Sequence, residues 1–175
     1  MSEDDETATD RGREGTRRGH IGLALVALLT LAVAGGAAAQ ARQVLEDREQ
    51  ERAGKTAVEV ARAQTLNMLS VSPDNVESRM RTLLANSTGE FRRDFESVQQ
   101  SFGAVVTKGE VVSTAHVVSS AVAELDDQDA RVLLAVDSEV RNGKRQEAQS
   151  RQYRLIADLT RKGDRWLISG MRFVA

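Results

Sequence analysis

The residues from Ile21 to Ala39, IGLALVALLTLAVAGGAAA, carry no charge, and Thr30 is their one polar side chain. Nothing else constrains the chain as strongly. At about 1.5 Å of rise per residue the segment makes a helix roughly 28 Å long, close to the hydrocarbon thickness of a bilayer. Arg11, Arg13, Arg17 and Arg18 precede it. Arg42, Glu46, Asp47, Arg48, Glu49 and Glu51 follow it, with no basic excess. The positive-inside rule therefore places the N-terminus in the cytoplasm and everything past Ala39 outside. The competing reading is a cleaved signal peptide, with Ile21 to Ala34 as its apolar region and Ala37-Ala38-Ala39 as its cleavage site. With the segment uncut, the expected organisation is a disordered cytoplasmic tail at 1–20, a transmembrane helix at 21–39, a helical stalk at 40–57 and one folded domain at 58–175.

Charge and composition narrow the function classes. Beyond Ala39 remain 136 of the 175 residues, enough for one domain with a real core. From Gln40 onward twenty Lys and Arg balance twenty Asp and Glu, so no net field draws the domain to nucleic acid or anionic lipid. The aromatics are few (Phe91, Phe95, Phe102, Tyr153, Trp166 and Phe173), which argues against stacking platforms for bases or sugars. No nucleic-acid partner is expected. The absence of Cys excludes disulfides, thiolate catalysis and Cys-ligated zinc.

Residues 40–70 read as helix, mostly charged up to residue 55, with Gly54 as a bend and Val58, Ala61, Thr65, Leu66 and Leu69 as a docking stripe. Ser72-Pro73 predicts a second helix start, followed by Val76, Met80, Leu83 and Leu84 on one face and Arg79 and Arg81 outward. Ser87-Thr88-Gly89-Glu90 fits a capping box for a third helix. Its stripe of Phe91, Phe95, Val98 and Phe102 is expected to pack under a sheet. After Gly103 the period changes to two. Val105 to Leu125 reads as two strands, or as one long strand broken near Lys108-Gly109. Ala130 to Val140, Glu147 to Thr160 and Arg165 to Val174 read as further strands. Asn142-Gly143 predicts the hairpin between the first two of these, and Ser169-Gly170 a bulge in the last. Helices first and strands after define an α+β class, about three helices on one face of a curved antiparallel sheet of about four strands.

This pattern resembles a known group. The anchor, then Leu84 with Ser87-Thr88-Gly89-Glu90-Phe91 and Phe95, then a strand run ending in Trp166-Leu167-Ile168, are similar to the Mce-associated membrane proteins of actinobacteria. The resemblance implies a nuclear transport factor 2-like (cystatin-like) ectodomain, a cone of helices against a curved sheet, as in the membrane-anchored scaffold subunit of type IV secretion systems. It also implies an accessory role beside Mce complexes, which move lipids or sterols across the cell envelope. It carries no catalytic residues over.

The sequence offers little chemistry. His116 sits in a strand on the side of Val112, Thr114 and Val118, and would need a carboxylate beside it in a pocket to act as acid or base; an edge-exposed His is the plainer reading. His20 flanks the apolar segment. Asp126, Asp127 and Asp129 lack the Gly and distal Glu of a calcium loop and read as a solvated turn. Arg92-Arg93 and the tip from Arg141 to Arg145 would meet head groups or a partner if they are not simply solvated. Asn86-Ser87-Thr88 matches a glycosylation sequon, and Thr88-Gly89 is accounted for by helix capping. No catalytic, cofactor-binding or metal-binding residue is expected, and no cofactor. The expected function is that of a single-pass, non-enzymatic scaffold of an Mce-type import complex, whose partners are the membrane and Mce subunits or other envelope proteins, with self-association left open. The alternative is a small apolar-ligand binder or isomerase-like domain that uses the interior of the cone.

Overall fold

The structure, a computed structural model, describes residues 48–174. The tail 1–20, the apolar segment 21–39 and the first part of the stalk lie outside the described residues. Among the described residues no helix is long and apolar enough to cross a membrane.

Helix α1 (48–69) is followed by α2 (Val76–Ala85) and α3 (Gly89–Lys108). Four strands come next: β1 (Val112–Leu125), β2 (Asp129–Asn142), β3 (Arg145–Lys162) and β4 (Arg165–Val174). They form one antiparallel meander in the order β1-β2-β3-β4, so the expected α+β architecture is the one observed. Alternation decides which face of each strand is buried. Ala130, Val132, Leu134, Val136 and Ser138 on β2 point to the helices, as do Leu155, Ala157 and Leu159 on β3 and Trp166 and Ile168 on β4. Each Leu, Ile or Val fully withdrawn from water contributes about 1.5–3 kcal/mol, so this face is the main driving force. Ala57 and Ala61 of α1, both fully buried, seat that helix on it.

A smaller cluster joins Val71, Val76, Met80 and Val106, with Phe95, Phe102 and Val111 against it. The expected stripe of α3 is therefore divided, and Val98, counted in it, is packed in neither cluster but 46% exposed. Phe91 packs on the sheet core, whereas Phe95 and Phe102 face the second cluster instead of the sheet. Phe91 and Phe95 stack across the division at 6.0 Å.

Both sheet edges are covered over part of their length. On β1, the Ala115 N–H donates to Ser70 Oγ (3.0 Å) and the Ser113 N–H to the Val71 carbonyl (2.8 Å). On β4, the Ile168 N–H donates to the Asn86 carbonyl (2.9 Å), and the Thr88 N–H donates to the Ile168 carbonyl (2.8 Å). Open edges invite strand addition, and these segments occupy them. The bulge expected at Ser169-Gly170 is present: Asp158 pairs with Gly170 and Leu159 with Ile168, which leaves Ser169 unpaired.

Several expectations are corrected. Gly54 does not bend α1. It is buried, and a Cβ there would meet Leu125 Cδ2 at 3.4 Å and Val122 Cγ2 at 3.7 Å. Docking of α1 thus begins by Ala53 and Gly54, before the expected domain boundary at Val58. α2 starts at Val76, and Ser72-Pro73 opens the turn before it, with the Ser72 carbonyl accepting from the Val76 N–H at 2.9 Å. Arg79 does not face outward; its Nη1 donates to Asn67 Oδ1 (2.9 Å), and the Asn67 amide donates to Gln64 Oε1 (3.1 Å), a part-buried polar link between α1 and α2. α3 runs through Gly103 to Lys108, so the strand follows Gly109. Burial of Val106 one turn beyond Phe102 outweighs the strand preference of Val105-Val106-Thr107.

Because those contacts at Gly54 are of ordinary length, Gly54→Ala should fit. It gains helix propensity and restricts the unfolded chain, a stabilisation of about 0.5–1 kcal/mol. Thermal unfolding of the intact chain in mild detergent checks this, and a lower midpoint would contradict the close but unstrained seat described for α1.

Candidate functional site

The helix-covered face is closed by core residues, each at most 5% exposed. The side chains available for contact lie on the outer face of the sheet, where the register sets them in rows. Glu124, Arg131 and Asp158 form one row. Ala121, Leu133, Ile156 and Arg172 form the next, and Ser119, Ala135, Arg154 and Val174 a third. His116, Asp137 and Gln152 close the series. The second row is thus mostly apolar and the third half so, and they lie between charged or polar ones.

The first row is a linked set of ions. Arg131 Nε reaches Asp158 Oδ1 at 2.7 Å and its Nη1 reaches Glu124 Oε1 at 2.7 Å, while Arg172 Nη1 lies 3.0 Å from Asp158 Oδ2. Asp158, and then Glu124, hold the Arg131 guanidinium more firmly protonated. Such pairs are solvent-screened and weak individually, so their effect is to fix side-chain positions along one rim. Beside them, Ala121, Leu133, Ala135, Ile156 and Val174 line an apolar groove of about 340 Å³. Leu133 and Val174 are each 44% exposed there. No sequence expectation covered this groove. Its signal was present in Leu133, Ala135 and Ile156, apolar residues on the supposedly wet positions of strands whose other face was already apolar.

The sequence candidates fall apart in space. His116 is exposed on the outer face, opposite Asp137 in the register, and does not look into the helix-covered interior. Arg92 is tied down: its Nη1 donates to the Leu84 carbonyl (3.0 Å) and its Nε lies 3.3 Å from Glu96. Arg93, Arg141, Lys144 and Arg145 are exposed. The hairpin tip is held by Asn142 Oδ1, which accepts from the N–H groups of Lys144 (3.0 Å) and Arg145 (2.9 Å). Asn86 is engaged, its Nδ2 donating to the Thr82 carbonyl (2.8 Å) and its Oδ1 accepting from Arg165 (2.8 Å). Ser87 and Glu90 form no capping box. α3 has Thr88 as its N-cap without a side-chain bond, and the buried Ser87 hydroxyl donates to the Leu83 carbonyl. Among the described residues no three His, Asp or Glu side chains gather as a metal site.

Asp126 is a turn residue. Its Oδ1 accepts from the N–H groups of Gln128 and Asp129, both at 2.8 Å, and these bonds hold its carboxyl below the ordinary aspartate range. A depressed folded pKa means that this stabilisation is present above the unfolded value and is lost as pH falls through the folded one. Asp126→Asn keeps an acceptor and removes the titration. The variant should lose less stability than the parent between about pH 5 and pH 2. Thermal melts across that range decide, and parallel acid limbs would contradict the assignment.

Residues 20–175 match the family described as uncharacterized protein Rv1363c/MT1408-like. The chain belongs to this family. Uncharacterized protein Rv1363c of Mycobacterium tuberculosis is 31% identical over 114 residues, which cover 65% of this chain and 44% of the relative. The chain thus spans less than half the length of that family relative. Among solved structures, the periplasmic domain of DotI is similar with a TM-score of 0.56 at 12% identity, covering 67% of this chain and 91% of that one. CagV, a VirB8 homolog of the type IV secretion system of Helicobacter pylori, has a TM-score of 0.55 at 6% identity, covering 69% and 97%. At such identities the likeness shows a shared fold and no more. It also fits the fold expected from the scaffold subunit of type IV secretion systems.

Proposed function

We propose that this chain is a membrane-anchored, non-enzymatic scaffold with an extracytoplasmic interaction domain, acting in an envelope transport assembly of the Mce type. The observation that carries the reading is the division of the two sheet faces. The interior is closed by Leu155, Leu159, Ile168, Trp166 and their neighbours, while the uncovered apolar surface lies outside, around Leu133 and Val174. A surface of that kind meets another protein; a ligand-binding cone needs an interior cavity with polar groups convergent on it. The apolar Ile21–Ala39 segment supports the anchor, and the arginines before it support an outside location for the domain. The similar DotI structure is a periplasmic domain, and the similar CagV belongs to a secretion system, which supports the same placement and kind of role.

The test is purification of the intact chain from mild detergent with identification of what accompanies it. Recovery of Mce subunits supports the full reading. Recovery of other envelope proteins keeps the scaffold and removes the Mce assignment. Recovery of lipid alone overturns both in favour of the ligand-binding alternative.

A further inference from the structure

One face of α3 is left uncovered in a specific pattern. Asp94, Val98, Ser101, Val105 and Lys108 are spaced by four, three, four and three residues, which places them on one line along the helix. All five are exposed, Val98 by 46% and Val105 by 66%. The buried side of α3, with Phe95, Phe102 and Val106, is engaged with Val76 and Met80. The serines beside the valines do not need outside partners. Ser97 Oγ donates to the Asp94 carbonyl (2.6 Å) and Ser101 Oγ to the Val98 carbonyl (2.8 Å). Neither Asp94 nor Lys108 has an ion-pair partner among the described residues. The line thus carries two exposed valines about an internally bonded serine, with an unpaired anion at one end and an unpaired cation at the other, about 21 Å apart along the axis.

We propose that a second copy of this chain covers this strip, with the two α3 helices antiparallel about a two-fold axis at Ser101. The charge pattern selects this occupant. A strip that runs from negative to positive is complementary to its own reversal: Asp94 of each copy meets Lys108 of the other, Val98 meets Val105, and Ser101 meets Ser101. The parallel arrangement would oppose like charges at both ends. Ser97, Ser101 and Ala104 are small, so the axes can approach to the 8–10 Å typical of packed helices. Such an interface is isologous, as a two-fold requires. One helix pair buries less than the roughly 800 Å² per partner of a stable complex, so the association is weak and reversible.

The lack of Cys in the chain makes the test direct. Ser101→Cys introduces a single thiol at the axis, and Arg93→Cys introduces one at an exposed position of the same helix, off the strip by about 80° around the axis and about 12 Å along it, so that its copies stand about 24 Å apart in the antiparallel pair. In the intact chain in mild detergent, mild oxidation should give S101C a disulfide-linked species of twice the chain mass and leave R93C single. Adding Val98→Glu and Val105→Glu to S101C should abolish that species. Asp94→Lys or Lys108→Asp alone should weaken it, and the two together should restore it. All the changes are on exposed positions, and far-UV circular dichroism confirms that each variant is folded. Equal dimer yield from R93C, no dimer from S101C, a disulfide to a different chain, or failure of the paired charge reversal to restore the dimer each overturns the proposal.

Discussion

Leu155→Ala is expected to cost about 2–5 kcal/mol, a large part of the 5–15 kcal/mol that holds a domain of this size. Leu155 is 1% exposed at the middle of β3, opposite Leu134 of β2 and Phe173 of β4. Truncation removes its burial and leaves a cavity that the close-packed core around it relaxes into only in part. The comparison that gives the number meaning is Leu133→Ala. Leu133 is on the neighbouring strand, points the other way and is 44% exposed, so its truncation should cost less than about 1 kcal/mol. Urea unfolding of both intact variants in mild detergent measures the pair. Equal losses at unchanged slope would mean that the outer groove is as closely packed as the core, and the division of faces that supports the scaffold reading would fall with it.

That division was only half visible in the residue pattern. Alternation on β2 puts Val132, Leu134, Val136, Ser138 and Val140 on one face; the first four are buried, and Val140, near the hairpin end, is half-buried. It could not say that Leu133 and Ile156, on the other face, would join across strands into a groove, because the register that aligns them is a non-local property. Helix docking was misjudged for a different reason. Gly54 and Ala57 carry too little apolar surface to register as a stripe, yet small residues are what lets a helix lie close to a sheet. The phenylalanines of α3 show the converse limit. Their spacing identified a buried helical face, but the choice between the sheet and α2 depends on where the chain turns at Asn86 to Gly89. The expectation of a non-enzymatic domain rested on composition alone, since one His in the expected domain and no Cys leave few groups to assemble.

The turn itself is open to the second large test. Thr88→Pro should destabilise the domain by about 2–3 kcal/mol, through a lost hydrogen bond with its buried acceptor left unpaired and through backbone misfit. Thr88 lies at φ −145°, far from the value near −65° that proline imposes. Its N–H donates to the carbonyl of Ile168, a residue with no exposed surface, so the vacated oxygen would have no water to turn to. Gly89 follows at φ +64°, a conformation that suits glycine and swings the chain from the β4 edge into α3. Asn86-Ser87-Thr88-Gly89 therefore acts as an edge cover for β4 joined to a hinge-like turn, which is a different use of these residues from the capping box they spell. The distinction is measurable. A lost cap would lower stability by about 1 kcal/mol and leave the chain monodisperse. A lost edge cover should also expose β4, and sedimentation of T88P below its unfolding midpoint should then show larger species that a Thr88→Ala control, with its N–H intact, does not form. Matching behaviour of the two variants would return Thr88 to a plain N-cap.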